Sequence, residues 1–463
     1  MKQLAFFIPL LLLISCRSIE PEAPVSAVEE IPVSRQPLSQ IVIPIELRLQ
    51  PYFEMADKSV PMNFSGGDHP CEGVSYDYYF ERNPLKLTAQ KGIVSIDISG
   101  KYWLKMNYCP DCNEVFTDKP VCTTPRVPFS CGIGEPMRRM SIQYNTAISI
   151  QENYQLNSET KLTQLKAIDP CEVTVFKYDA TDQLLKEVRG SLNDLGKEID
   201  KQIGSIHFRK EAASSWKMLD APIAVPGYGF FHAQPKRIAL VAPEIDHNKV
   251  KTALVIYAFP KFTTKDTSFK SKPSELPPLE ILSHAPSNQL AVSLDLDLQY
   301  DSISSIAQRY LGGTKLDLEG RTVILDSISV FGASNKQLLF RVCFSGDKKG
   351  VLFLRGTPHF EKDTQLLHFP DLDFDLETKS LLLKSAKWLF SEKITEKLRE
   401  ATKREIGGHL NEARTILNQS LSFQYDDYKV KGLISKMEVE ELFPAQHELF
   451  VRIRINGSLQ VTN

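Results

Sequence analysis

Neither sign of charge dominates this chain: 55 lysines and arginines stand against 57 aspartates and glutamates, a net charge of −2. No long basic block occurs, so the electrostatic footprint of a nucleic-acid partner is missing. After the first sixteen residues no apolar run approaches the roughly 20 residues that cross a bilayer as a helix. Catalytic signatures are missing as well. There is no HExxH, no GxSxG nucleophile elbow, no P-loop and no GxGxxG opening a helix, and the histidines are scattered without a pair at ligand spacing. Dispersed triads escape such a search, but nothing here identifies one. The expectation is a protein without enzymatic activity, cofactor or metal.

What is present begins at the N-terminus. Met1–Cys16 carries one lysine, an apolar run from Leu4 to Ile14, then a small residue and a cysteine. That run is too short to span a bilayer and has the layout of a secretory signal. Leu13-Ile14-Ser15-Cys16 resembles the bacterial lipobox, whose cysteine is acylated and becomes the mature N-terminus. Cys16 is therefore the expected lipidation site, and the acyl group the expected membrane anchor. Arg17, Ser18 and Ile19 follow, without the acidic residue of inner-membrane retention. An envelope location is expected, periplasmic or surface-exposed, with the outer membrane favoured. Residues 17–40 are rich in Pro, Glu, Ser and Val without periodicity and read as a flexible tether.

Six further cysteines lie in the first half: Cys71, Cys109, Cys112, Cys122, Cys131 and Cys171. In an exported chain they read as up to three disulfides of undetermined connectivity. The alternative is a zinc knot on Cys109, Cys112, Cys122 and Cys131, whose spacing a tetrahedral thiolate site tolerates; an oxidising compartment favours disulfides. Cys343 sits in a strand-like segment and reads as a small apolar packing residue.

The body of the chain repeats one plan. Ile43, Ile45, Leu47 and Leu49 alternate with Pro44, Glu46, Arg48 and Gln50, the pattern of a strand with one apolar face. The proline on its other face points to a sheet edge. Val292, Leu294, Leu296 and Leu298 repeat the pattern, alternating with Asp295 and Asp297. Each strand leads into a short helical segment, Tyr52–Val60 or Ser302–Leu311. Each half then has a polar hairpin turn, at Asn157–Thr160 and at Glu361–Thr364. A long amphipathic helix and more strands follow.

The first long helix, Asp182–Ile206, spaces Leu184, Val188, Leu192, Leu195, Ile199, Ile203 and Ile206 by three and four. The second, Ser385–Leu421, places Phe390, Ile394, Leu398, Ala401, Ile406, Leu410, Ala413, Leu417 and Leu421 on one stripe. As one helix it would be about 50 Å long, and Gly407-Gly408 marks an expected bend. With strands on both sides and no equally long helix beside it, a curved antiparallel sheet is the surface left to receive its stripe. Shared order over most of the chain argues for an internal duplication.

The domain reading is a signal peptide at 1–16, a tether at 17–40 and a first domain at 41–263 with a Cys-rich insert at 107–136. A linker at 264–289 and a second domain at 290–463 complete it. Asp371, Asp373 and Asp375, like Asp295 and Asp297, are expected on a solvated outer strand face; calcium ligation by the first three is the costlier reading.

Three stretches add a resemblance to the lipobox and the duplicated plan: Phe369-Pro-Asp-Leu-Asp-Phe-Asp-Leu376, Ala386-Lys-Trp-Leu389 and Trp216-Lys-Met-Leu-Asp-Ala-Pro-Ile223. Together they resemble an uncharacterised family of Bacteroidota lipoproteins, the domain of unknown function numbered 4403. That family resembles the tubular lipid-binding superfamily, which includes the bactericidal/permeability-increasing proteins. The resemblance covers nearly the whole mature chain, apart from the cysteine-rich insert. It implies an α+β fold of two tandem modules, each a long amphipathic helix wrapped by a curved antiparallel sheet enclosing an apolar groove. The residues then expected to line that groove are Ile43, Ile45, Leu47, Leu49, Leu192, Leu195, Ile199, Leu294, Leu296, Leu298, Ile394 and Leu398. The function implied is binding or transfer of a lipid or another amphiphile. The alternative is an envelope adaptor with filled cores and a protein partner docked on its edges.

Overall fold

A computed structural model describes residues 34–113, 120–173, 178–226, 229–264, 274–287, 290–318, 320–375, 392–425 and 428–462. Cys16, the leader, most of the tether, Phe390 and Ala386–Leu389 lie outside them. The fold is α+β and mostly strand. Six helices occur among the described residues: α1 (Gln50–Ser59), α2 (Thr181–Gly204), α3 (Arg209–Asp220), α4 (Tyr300–Leu311), α5 (Glu392–Thr402) and α6 (Gly407–Ser420).

A twelve-stranded central sheet is shared by both halves of the chain. At its middle the strands Leu290–Gln299, Glu448–Thr462, Ser39–Arg48 and Lys249–Ala258 lie side by side. The Ser39–Arg48 strand is therefore interior, not the edge its proline suggested. Its pairing explains how Pro44 is tolerated. On one side the ladder to Lys249–Ala258 is continuous. On the other, Gln40 and Ile41 pair with Ala291 and Leu290, and Ile45 and Glu46 pair with Val461 and Thr462. Residues 42–44 are skipped there, so a proline in that interval breaks no ladder on this side.

A seven-stranded sheet belongs to the first half, running from Leu156–Ala167 at one edge through Arg138–Ile150, Ile93–Cys109 and Gly73–Arg82 to Asn63–Asp68 at the other. The hairpin turn expected at Asn157–Thr160 is instead part of the Leu156–Ala167 strand; the chain reverses just before it, where Tyr154 takes a positive φ of 68°. Leu184, Leu185 and Leu192 of α2 pack on Tyr102, Leu104, Met140, Ile142 and Tyr144 of this sheet. Gly196 is the buried residue of α2, facing the Thr160 carbonyl, where an added Cβ would be a tight 3.3 Å away.

The second half has a five-stranded sheet, from Lys315–Leu318 to Asp373–Phe374. Its turn at Glu361–Thr364 stands, between paired strands His359–Glu361 and Leu366–His368. The expected 50 Å helix does not. Its described part is two helices, α5 and α6, separated where Arg404–Glu405 forms a short strand against Leu366 and Leu367. Ile406 N–H donates to the Gln365 carbonyl (2.9 Å), so strand pairing takes over the backbone where the helix would have continued. Gly407 then starts α6 against the Gln365 side chain, with no room for a Cβ unless that side chain shifts.

The six paired cysteines form Cys71–Cys112, Cys109–Cys122 and Cys131–Cys171. All four cysteines of the zinc alternative are therefore consumed. Cys343 is a half-buried free thiol.

The aspartates need correction. Asp295 and Asp297 are each 7 % exposed, and Asp375 is buried against Arg355. Asp371 is exposed, as expected of a solvated face, and accepts from the Thr357 N–H and hydroxyl and from Gln337. Alternation identified a polar face, but at Asp295, Asp297 and Asp375 that face is covered.

Candidate functional site

Facing residues on paired strands share a side of the sheet, and the register therefore defines one apolar face. Ile41 pairs with Leu290, and Val292, Leu294, Leu296 and Leu298 pair with Ile455, Ile453, Val451 and Leu449. Ile43, Ile45 and Leu47 continue the same face along the neighbouring strand. Two separate parts of the sequence, Ile43–Leu47 and Leu294–Leu298, thus meet on one surface.

Helices cover that face unevenly. Leu294, Leu296 and Leu298 pack on the large second-half cluster, where Ile394 is fully buried and Leu398 partly so. Space around Ile394 is filled by protein. By contrast, Ile43, Ile45 and Leu47 are only half-buried and belong to none of the hydrophobic clusters among the described residues. The remaining groove candidates lie elsewhere. Leu49 packs with Phe53 and Ile245, Leu192 with the first-half core, Ile199 is half-buried on α2 and Leu195 is exposed.

A cleft of about 710 Å³ opens beside the skipped interval of the ladder. Pro44, Phe423, Val430, Gly432, Leu433 and Leu459 supply most of its apolar wall. Its size lies within the roughly 300–1,000 Å³ of small-molecule sites. Gly432 leaves no room for a side chain: a Cβ there would come within 2.6 Å of Leu421 and 2.8 Å of Leu459. Phe423 and Leu433 are exposed, as are Ile416 and Leu417 on the turns of α6 that lead towards them. The charged side chains lining the cleft are Lys429 and Lys431; no carboxylate of a described residue joins them. Asp426 and Asp427, which follow Tyr425 in sequence, lie outside the described residues. The arrangement can hold an apolar chain and place an anionic or polar head near two lysines. It offers no nucleophile held against a base. Among the described residues no group of three His, Cys, Asp or Glu could hold a metal.

Sequence reading missed Phe423, Val430, Leu433 and Leu459. The alternation of Lys429, Val430 and Lys431 signals a two-faced strand, but nothing local says that its apolar face meets Pro44.

The opposite face of the central sheet is polar yet buried. Arg452, 2 % exposed, donates to both carboxylate oxygens of Asp295 (2.6 and 2.9 Å) and to the Ser34 hydroxyl. Lys261 pairs with Asp297. Burial, and then the negative charge of Asp297, push the Glu448 carboxyl above its usual range, although Lys261 pulls the other way. Gln36 Nε2 donates to the Pro260 and Ser293 carbonyls (both 2.8 Å), so residues 34–36 lie strapped across this face. Pairing of the charged groups in this network fixes geometry, while the buried Ser293 hydroxyl has no partner among the described residues. A second cleft, about 410 Å³, is lined by Gln299, Tyr300, Asp301, Phe331, Gly332, Gln446 and His447. It lacks a comparable apolar wall.

No curated protein matches this chain. Among solved structures it is similar to a lipopolysaccharide binding protein at 9 % identity and a TM-score of 0.24, over 91 % of this chain and 98 % of that one. It is also similar to P47 of Clostridium botulinum E1, at 9 % identity and a TM-score of 0.21 over 91 % and 98 % of the two chains. Likenesses so distant carry no argument about function. The family comparison is decisive for membership: with residues 37–462 matched, this chain belongs to the family described as Domain of unknown function (DUF4403).

Proposed function

We propose that this protein is an envelope lipoprotein, anchored through an acylated Cys16, that binds or transfers a lipid or another amphiphile without turning it over. The observation that carries the reading is the cleft of about 710 Å³ beside the skipped interval of the ladder, with Pro44, Phe423, Val430, Gly432, Leu433 and Leu459 in its wall. An acyl chain entering there would displace water from Phe423, Val430, Leu433 and Leu459. Each buried methylene would contribute about 0.8 kcal/mol. Lys429 and Lys431 suit a head group at the mouth. The three disulfides support an oxidising, extracytoplasmic location. Residues 41–263 and 290–463 would be the two tandem modules of this carrier, each a helix against a curved sheet, joined by residues 264–289 and fused through the central sheet.

The test is native mass spectrometry of residues 17–463 secreted in oxidising conditions, before and after incubation with envelope lipids. A discrete lipid mass is expected on the parent chain, and its loss in Leu433→Glu and Leu459→Trp. The first puts a charge on an exposed wall and the second adds bulk to the wall at Leu459. Lipid retained by both variants would put the site elsewhere. A clean apo mass throughout would leave the adaptor reading in its place.

A further inference from the structure

The two edges of the seven-stranded sheet are treated differently. Along Leu156–Ala167, α2 closes the edge. Asp200 accepts from the Thr160 N–H (3.1 Å) and the Ser158 hydroxyl (2.7 Å), and Leu156 N–H donates to the Ile206 carbonyl (3.1 Å). Along Asn63–Asp68 nothing comparable occurs. All six residues are exposed, and none of the described residues bonds to the outer side of this strand. Neither lysine nor proline, the usual guards of an open edge, is present in it.

The register shows which groups are on offer. Arg82 N–H donates to the Met62 carbonyl (2.8 Å), and pairing continues without a shift from Asn63↔Glu81 to Asp68↔Tyr76. In an antiparallel ladder bonded and non-bonded pairs alternate. Phe64, Gly66 and Asp68 therefore bond inwards, while Asn63, Ser65 and Gly67 direct N–H and C=O outwards. Beside them the sheet shows an aromatic face: Phe64, Tyr76, Tyr78 and Tyr108 are exposed. It is the face that α2 covers farther along the sheet, at Tyr102 and Leu104. The Tyr78 ring reaches over Gly66, where a Cβ would meet it at 2.9 Å. Just past the strand, Cys71–Cys112 ties the connection to the next strand and holds the edge in place.

We infer that the Asn63–Asp68 edge accepts an extended segment of a partner polypeptide as an added strand. The occupant follows from the chemistry on offer. Alternating donors and acceptors at strand spacing are matched by another backbone; an acyl chain has neither. The partner segment would alternate apolar and polar side chains, its apolar ones resting on Phe64 and Tyr78. This surface is separate from the cleft at Pro44, so either proposal can fail alone.

The test uses the full mature chain and a short blocked peptide alternating valine and threonine, with a control peptide N-methylated at alternate amides. Saturable binding is expected, with slowed amide exchange at Asn63, Ser65 and Gly67. The methylated peptide should bind at least tenfold more weakly. Ser65→Pro removes one outward N–H and spares the inner ladder; it should weaken binding about tenfold with an unchanged melting temperature. Absence of binding, equal binding of the methylated peptide, or protection confined to other strands would overturn the proposal. So would concentration-dependent dimerisation abolished by Ser65→Pro, which would make a second copy the occupant. Edge protection by anionic lipid vesicles in place of the peptide would also overturn it. The methylated-peptide comparison needs no variant, so a misfolded Ser65→Pro would not shield the idea.

Discussion

In the second half of the chain one continuous hydrophobic cluster runs from the Val323, Val330 and Phe344 region through Ile394 and Leu410 to Leu449, Ile453 and Ile455. In the first half buried apolar residues are divided among several smaller clusters, around Tyr144, Val42, Phe53 and Trp216. All three disulfides lie in that first half, and one of them, Cys131–Cys171, is itself part of the Tyr144 cluster. The difference teaches how two halves of similar order can be held by different means. Where apolar burial is continuous, packing suffices. Where it is fragmented, covalent links limit the freedom of the unfolded chain instead. The helices differ in the same sense. α2 is unbroken and packs Leu184, Leu185 and Leu192 on one sheet, whereas α5 and α6 part where a strand claims the intervening backbone.

The largest effect expected is from Phe344→Ala, a cavity in the continuous core. It should cost about 3–5 kcal/mol, read as a lower denaturant midpoint, and the loss should be the same with and without reductant. A loss below about 1 kcal/mol, or one that appears only under reduction, would break the contrast. Next comes the double change Cys131→Ser with Cys171→Ser, expected to cost about 2–4 kcal/mol. Amide exchange should then rise around Tyr144 and α2 and stay unchanged around Phe344. Uniform loosening of both halves would show that they unfold as one unit.

The smallest effect concerns the polar face that joins the halves. Because the folded chain raises the Glu448 carboxyl, it holds that proton more tightly than the unfolded chain does. The stabilisation this gives is complete below the ordinary glutamate range and is lost as pH rises through the raised value. Glu448→Gln should therefore flatten the stability profile just above the ordinary glutamate range and be relatively more stable than the parent at neutral pH. Melting temperatures across mildly acidic to neutral pH check this; an unchanged slope would count against it.

Much of the fold was legible in local pattern. The steps of three and four from Leu184 to Ile203 identified α2 within two residues at either end, because an amphipathic stripe is a property of neighbouring residues. The period-two runs at Ile43–Leu49 and Val292–Leu298 likewise identified strands and their apolar faces. The same alternation misjudged Asp295 and Asp297. A polar face reads as solvated unless one knows that Arg452, 157 residues from Asp295 in sequence, returns to pair with it. Pro44 misled for a related reason. A proline forbids a ladder bond but does not say whether the neighbouring strand skips that position or is absent.

Sequence by itself determined many of the elements, the cysteines available for pairing and the family to which the chain belongs. Each of these depends on residues close together or on overall resemblance. Tertiary structure alone decided that both halves contribute to one central sheet, which cysteine meets which, and where a cleft opens beside Pro44. Those outcomes depend on pairings such as Ile45 with Val461 and Cys131 with Cys171. They are chosen by packing over long separations, to which no local periodicity responds. The cleft at Pro44 and the open edge at Asn63–Asp68 both arise at that level.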